Sequence, residues 1–392
     1  MLNVMPFLEL GENIYSTSVK KINELLVNFN ILNDNIKVRP YKDEEINSKA
    51  NQFLNNKLNA LIFSTLINTT TKGINIKKLF SDLRKANSLD SFQKTYVEIV
   101  EGIHSRTVSS FKIRGLENLD KNRSYQFISN HNNIIMNPYD ISLALISKGF
   151  KGPYTVAGDN LANITFADML FKLLGTAIII RTGPSMDNTR EFSKFVYDAK
   201  EEGRSLWIAQ APGRAKDNYN VTNPAVIRMI TSGGRAMKKS MNEIVNDYFV
   251  PVTISSEYEP CDGCMAKELA KTETEGNYEK GSIEDMKSMF YGVRGHKGNM
   301  VVTFGKPLQG DFNNYIKKGS KQIAKAIDEQ IINNYHIFET NEYAYKKLTT
   351  NIDKMKDEPN PLEDRVKGLS VYEASKLYRY YANPVAQQRE AA

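Results

Sequence analysis

The chain has 392 residues, 41% hydrophobic and 25% charged, which supplies ample apolar material for a buried core and excludes a disordered protein. Its 52 Lys and Arg against 45 Asp and Glu give a formal charge of +7, an excess that favours an anionic partner. Nucleic acid is not the expected one, because no basic-and-aromatic motif of a known nucleic-acid module occurs.

Met1 to Glu12 lacks a basic head followed by a long apolar stretch, so neither a secretory signal nor a membrane anchor is expected there. The apolar run at 58–67 is far below the roughly 20 residues that span a bilayer, so membrane contact is expected to be peripheral, on the inner face, with the protein cytoplasmic. From residue 14 to about 104, apolar residues recur at helical spacing with Asn-rich breaks, as at Ile22, Leu25, Leu26 and Phe29, then Phe53, Leu58, Leu61 and Ile62.

Short apolar runs bounded by Gly, Pro or polar residues follow, at 111–116, 125–129, 176–181, 205–209, 249–255 and 300–304. They read as strands. Helical patterns lie between them at 162–174, 186–201 and 224–245, the last with Pro224 in its first turn, where proline's missing donor is not needed. Such alternation argues for an α/β domain built around one sheet. Beyond Gly310 the pattern is helical again, through 316–335 and 371–381. The expected organisation is a helical N-terminal region (1–104), an α/β unit (105–310) and a helical C-terminal region (311–392) packing on it.

Two cysteines, Cys261 and Cys264, form no disulfide framework and point to a reducing compartment. With no second Cys/His pair at metal spacing nearby, they read as ordinary loop thiols, and no metal site is expected.

Candidate chemistry gathers at the carboxyl ends of the strands, where open α/β sheets place their ligands. His131 follows the 125–129 strand in Ser129-Asn130-His131. Arg181 ends the strand that starts at Gly175, and offers a planar fork of donors suited to phosphate. The segment Trp207 to Asp217 runs from a strand into a turn with Gly213, Arg214 and Lys216, where backbone amides and cations can converge on an anion. Val250-Pro251-Val252-Thr253-Ile254 forms a further strand.

Taken in this order, the segments resemble the four conserved blocks of the glycerolipid acyltransferase superfamily, which includes the glycerol-3-phosphate and 1-acylglycerol-3-phosphate acyltransferases. Supporting residues are Gly115-Leu116-Glu117-Asn118-Leu119, Val156-Ala157-Gly158-Asp159-Asn160-Leu161 and Gly213-Arg214-Ala215-Lys216-Asp217. The resemblance covers about residues 105–310, more weakly Tyr381-Ala382-Asn383-Pro384, and is closest to a bacterial subgroup. It implies a mixed central sheet flanked by helices, and transfer of an acyl group from acyl-CoA or acyl carrier protein to glycerol 3-phosphate or its monoacyl form, without a further cofactor. His131 would be the general base, and Arg181 and Arg214, with Gly213 and Lys216 nearby, would hold the acceptor phosphate.

The chain departs from that pattern in two places. The aspartate expected after the histidine is replaced by Met136, followed by Asn137, which leaves Asp140 as the nearest carboxylate able to serve His131. An asparagine is expected to favour the wrong imidazole tautomer. Pro212 stands where the family has a glutamate before Gly-Arg. The alternative reading is therefore an inactive relative that binds lipid phosphate or a protein partner. A basic stretch at 228–239, with Arg235, Lys238 and Lys239 beside Ile227, Met229 and Ile230, is expected to meet an anionic membrane surface.

Overall fold

The computed structural model describes residues 38–162, 165–179, 186–276, 278, 284–313, 319–350 and 358–391. The expected helix around Ile22 to Phe29 lies outside them. The described chain opens on helices α1 (Asp43–Asn55), α2 (Lys57–Thr70), α3 (Ile76–Lys85) and α4 (Leu89–Thr107). Several polar breaks between them are caps. Asn56 accepts from the Leu58 and Asn59 N–H groups, Asn75 from Lys78 and Ser88 from Ser91, each satisfying donors that a helix start leaves unpaired. The apolar faces of these helices share a core with Met136, Leu143 and Leu173.

Strands β1 (Val108–Arg114), β2 (Gln126–Ser129), β5 (Leu206–Ala209), β6 (Phe249–Ser256) and β7 (Gly298–Phe304) form one sheet in the order β1-β7-β6-β2-β5. Among the described residues only β6 and β7 pair antiparallel, so the sheet is mixed. A parallel pair, β3 (Thr155–Gly158) with β4 (Thr176–Ile179), adjoins β5 through the Trp207 N–H to the Tyr154 carbonyl at 2.7 Å and the Tyr154 N–H to the Ser205 carbonyl at 2.8 Å. Between strands run α5 (Met136–Ser147), α6 (Thr165–Leu173), α7 (Met186–Glu201), α8 (Pro224–Ala236), α9 (Met241–Val245), α10 (Asp262–Glu275) and α11 (Glu284–Arg294). After β7 come α12 (Gly319–Asn334), α13 (Glu339–Thr349), α14 (Glu363–Val366) and α15 (Val371–Ala391). The fold is α/β, a mixed central sheet flanked by helices.

All of β2 is buried, as expected for a central strand covered on both faces. Phe127 packs with Trp207, Val252 and Phe304 on one side, and Ile128 with Ile208, Ile227 and Phe249 on the other. Because Ser129 pairs with Ala209 in parallel register, the chain leaves both strands at the same level of the sheet.

Three segments differ from the sequence reading. The run 224–245 is two helices, because the chain turns at Lys238 with φ of 60° and restarts at a Ser240–Glu243 capping box. Helix α15 continues through Pro384 to Ala391, held there by tertiary bonds from Gln388 to the Ile332 and Tyr335 carbonyls. Strand β3, read from sequence only as part of a motif, is a further strand.

Gly115 joins β1 to the turn before β2 with φ of +82°, and a Cβ there would sit 1.9 Å from the Phe304 carbonyl oxygen. Gly115→Ala therefore combines a left-handed backbone with a backbone clash. We expect a loss of about 2–4 kcal/mol, read as a lower urea midpoint at unchanged m-value.

Candidate active site

Beyond β2, Asn130 is clamped to β6 by paired bonds of 2.8 Å, from its side-chain amide to the Ile254 carbonyl and from the Ile254 N–H to its side-chain oxygen. The next residue, His131, is fixed at its backbone by the Ala215 N–H, 2.8 Å from the His131 carbonyl. This bond ties the loop after β2 to the loop after β5. The imidazole packs edge-on to Trp207, with ring centroids 5.8 Å apart, and the Trp207 indole N–H bonds to Ser129 Oγ at 2.9 Å.

His131 Nδ1 lies 3.2 Å from Asn137 Oδ1. The same oxygen receives the backbone N–H groups of Asn132 and Asn133, each at 3.0 Å. Those two donors fix the Asn137 amide with its oxygen, not its NH2 group, toward the loop. An amide oxygen only accepts, so Nδ1 carries the proton and the neutral ring has its lone pair on Nε2. The asparagine thus selects the tautomer a base needs, contrary to the expectation from sequence. The reason is local: α5 begins at Met136, which puts Asn137 in its first turn under the N–H groups of the preceding loop. Asn133 caps the same helix, its side-chain oxygen accepting from Ile135 and Met136 N–H.

Asp140, expected beside His131, is instead paired with His104, whose Nε2 lies 2.7 Å from Asp140 Oδ1. One turn further along α5, Asp140 faces the last turn of α4, and both side chains are buried. Asp140 is thereby corrected from a partner of His131 to part of a helix–helix contact.

The other expected residues gather around one cavity of about 530 Å³, which His131, Gly213, Arg214 and Lys216 all line. Arg181 lies outside the described residues. Gly213 takes φ of +79° in the loop that follows β5, just before Arg214. Arg214 Nη1 is buried and has no hydrogen-bond partner among the described residues, while the guanidinium lies near enough to Glu259 and Cys261 to oppose the effect of burial on both. Lys216 forms an ion pair of 2.5 Å with Glu268 on α10. Much of the remaining wall is apolar, with Val156, Leu161, Phe171, Ile179, Val226 and Met229 contributing, beside Thr155 and Thr176.

A buried polar layer supports the loops. The Asn132 side-chain amide donates to Asn218 Oδ1 at 2.7 Å and to the Tyr380 hydroxyl at 3.1 Å, and Asn218 donates to the Tyr335 hydroxyl at 3.1 Å. Helix α15 holds the arginine loop through Asn383, which donates to the Asp217 carbonyl at 2.7 Å. Glu259, 3% exposed, receives the Cys261 N–H at 3.1 Å. Burial raises its carboxyl from 4.5 to about 7, against the opposing pull of that N–H and of the Arg214 guanidinium. Cys261 is buried at the start of α10, its thiol donating to the Ser288 carbonyl at 3.3 Å, while Cys264 is exposed within the helix.

Sequence reasoning misread the effect of Asn137 and missed Glu259. An asparagine four residues after a capping asparagine was a legible sign of the first; the second carries no local signal, standing 45 residues beyond Arg214 in sequence. Helix α8 also differs from expectation: Arg228 and Arg235, with Lys238 and Lys239 beyond it, are exposed, but Ile227 and Ile230 are core residues and so offer no apolar face to a bilayer. Among the described residues no helix is long and apolar enough to cross a membrane.

No protein-family model and no curated protein matches the chain. Among solved structures, it is similar to the 1-acyl-sn-glycerophosphate (LPA) acyltransferase PlsC from Thermotoga maritima, at 11% identity and a TM-score of 0.36, over 73% of this chain and 95% of that one. A likeness this distant says nothing of chemistry.

The Glu259 environment has a pH signature. Between 4.5 and about 7 the folded chain holds this proton more tightly than the unfolded chain, so stability falls as pH rises through that window. Glu259→Gln removes the slope. Urea unfolding at pH 5 and pH 8 is expected to show the unsubstituted protein losing more stability than the variant between the two, by at most about 3 kcal/mol.

Proposed function

We propose that the chain transfers a fatty acyl group from a thioester, acyl-CoA or acyl carrier protein, to the hydroxyl of glycerol 3-phosphate or 1-acylglycerol 3-phosphate. One observation carries the reading: His131, whose Nδ1 faces the Asn137 oxygen, and Arg214 line the same largely apolar cavity. The resemblance in the order of the four sequence blocks supports the acceptor and donor classes.

In this reading His131 Nε2 takes the acceptor hydroxyl proton as the oxygen attacks the thioester carbonyl carbon. The tetrahedral intermediate collapses with cleavage of the carbon–sulfur bond, and the imidazolium returns the proton to the departing thiolate. Arg214 binds the acceptor phosphate, with Arg181 as its second cation, while Gly213 lets the turn approach the anion. The apolar wall accommodates the acyl chain. Asn137 orients the ring and stabilises the imidazolium with an amide dipole only, where a carboxylate would supply a full charge. The exposed cations of 228–239 draw the protein to anionic lipid by charge, without insertion.

A second reading is favoured by the same asparagine: a chain that binds the phosphate without turning it over. Thiol release from acyl-CoA or acyl carrier protein, measured with each acceptor, separates the two. Turnover is expected, lowered by His131→Ala by a factor of about 10²–10⁴ in kcat/KM and raised by Asn137→Asp, whose carboxylate keeps the same three donors. Arg214→Ala is expected chiefly to raise the KM of the phosphorylated acceptor. Thiol release that is absent, or indifferent to His131, leaves the binding role.

A further inference from the structure

Between β5 and α8, the segment 218–222 turns its polar side chains inward and its apolar ones outward. Asn218, Asn220 and Thr222 are 1%, 2% and 1% exposed, whereas Tyr219 and Val221 between them are 44% and 50% exposed. A loop that faces only water has the opposite order, since polar groups cost free energy to bury and apolar ones to expose. Hydrogen bonds fix the inversion. The Asn220 N–H donates to Gln387 Oε1 at 2.8 Å, and the Gln387 amide donates to the Asn220 carbonyl at 3.0 Å. The Thr222 N–H donates to Asp328 Oδ1 at 2.7 Å, while Asn218 accepts from Asn132 and donates to the Tyr335 hydroxyl. Tyr219 and Val221 cannot roll into the core without breaking these bonds.

The chain on either side is anchored in the first cavity, whose lining includes both Lys216 and Ala225. Charge then selects the partner. Over residues 216–239 the cations are Lys216, Arg228, Arg235, Lys238 and Lys239, against one carboxylate, Asp217. Lys216 and Lys239 pair with Glu268 and Glu243; Arg228, Arg235 and Lys238 are exposed and form no ion pair among the described residues. Of the α12 carboxylates, Asp328 is committed to the Thr222 N–H and Glu329 pairs with Lys325. Arg228 and Arg235, seven residues apart, share one face of α8. An apolar pair followed by unanswered cations matches an anionic bilayer, where a tyrosine ring sits at headgroup level and cations meet phosphates.

We propose that Tyr219 and Val221 enter the headgroup region of an anionic bilayer, with Arg228 and Arg235 against its phosphates, and so bring the wall of the first cavity to the lipid surface. The choice of lipid over protein rests in part on the acyl-transfer reading, whose monoacyl acceptor is itself a lipid. Helix α8 offers no apolar face of its own, so the loop before it supplies the apolar contact while the helix acts by charge.

The test is sedimentation of the full chain with vesicles of phosphatidylglycerol and phosphatidylcholine, together with the fluorescence of Val221→Trp. Trp207 is the sole tryptophan and is buried, so the added indole reports on the loop. Expected are a blue shift on vesicle binding and quenching by lipids brominated in the acyl chain. The double variant Tyr219→Ser with Val221→Ser is expected to bind vesicles about tenfold more weakly at an unchanged urea midpoint. Vesicle binding is read without turnover, and thiol release with soluble glycerol 3-phosphate without vesicles, so failure of the membrane contact and failure of the chemistry are distinguished. The proposal is overturned if the unsubstituted chain does not bind these vesicles, if the double variant binds them equally, or if the Val221→Trp emission does not shift, which would assign the loop to a protein partner.

Discussion

The candidate site depends on one atom, the side-chain oxygen of Asn137. Two backbone N–H groups and an imidazole N–H converge on it, so one amide caps the loop after β2, starts α5 in the right direction and sets the proton on the ring. Removing the oxygen would leave the Asn132 and Asn133 donors buried without partners, at a cost of about 1–3 kcal/mol each. A carboxylate has greater accepting capacity than an amide, which makes this position tolerant of aspartate and intolerant of apolar residues.

Sheet register supplies the second constraint. Parallel pairing of Ser129 with Ala209 puts the ends of β2 and β5 side by side, and the Ala215 N–H to the His131 carbonyl closes the two loops on each other. The helices beyond β7 then complete the layer beneath: Tyr335, Tyr380 and Asn383 bond to Asn218, Asn132 and the Asp217 carbonyl. A histidine and an arginine 83 residues apart thereby share a cavity wall, while the C-terminal helix stabilises both loops from below. Such a buried polar layer favours a single geometry, because a slip would break these bonds and leave further buried groups unpaired beside Asn132 Oδ1, which has no partner among the described residues.

Much of the fold was legible because its signals are local. Short apolar runs bounded by polar or glycine residues marked β2, β5, β6 and β7, and the order of the blocks placed His131, Gly213, Arg214 and Lys216 beyond strand ends. The break after Ala236 was hidden because its apolar spacing continues across the turn, and α15 runs past Pro384 on the strength of contacts with α12 that sequence does not display. The tautomer of His131 was misread for a related reason: an asparagine alone can present either oxygen or nitrogen, and only its tertiary neighbours decide. Asp140 was drawn to His131 by nearness in sequence, whereas its partner, His104, stands 36 residues earlier and reaches it by helix packing.

The most direct test of the tautomer uses nitrogen chemical shifts of the imidazole rings. The chain has only four histidines, so the His131 signals are identified by their loss in His131→Ala. With the ring neutral, a protonated Nδ1 and an unprotonated Nε2 are expected. A ring protonated on Nε2, or one exchanging between both forms, would contradict the role assigned to Asn137 and with it the base chemistry built on His131.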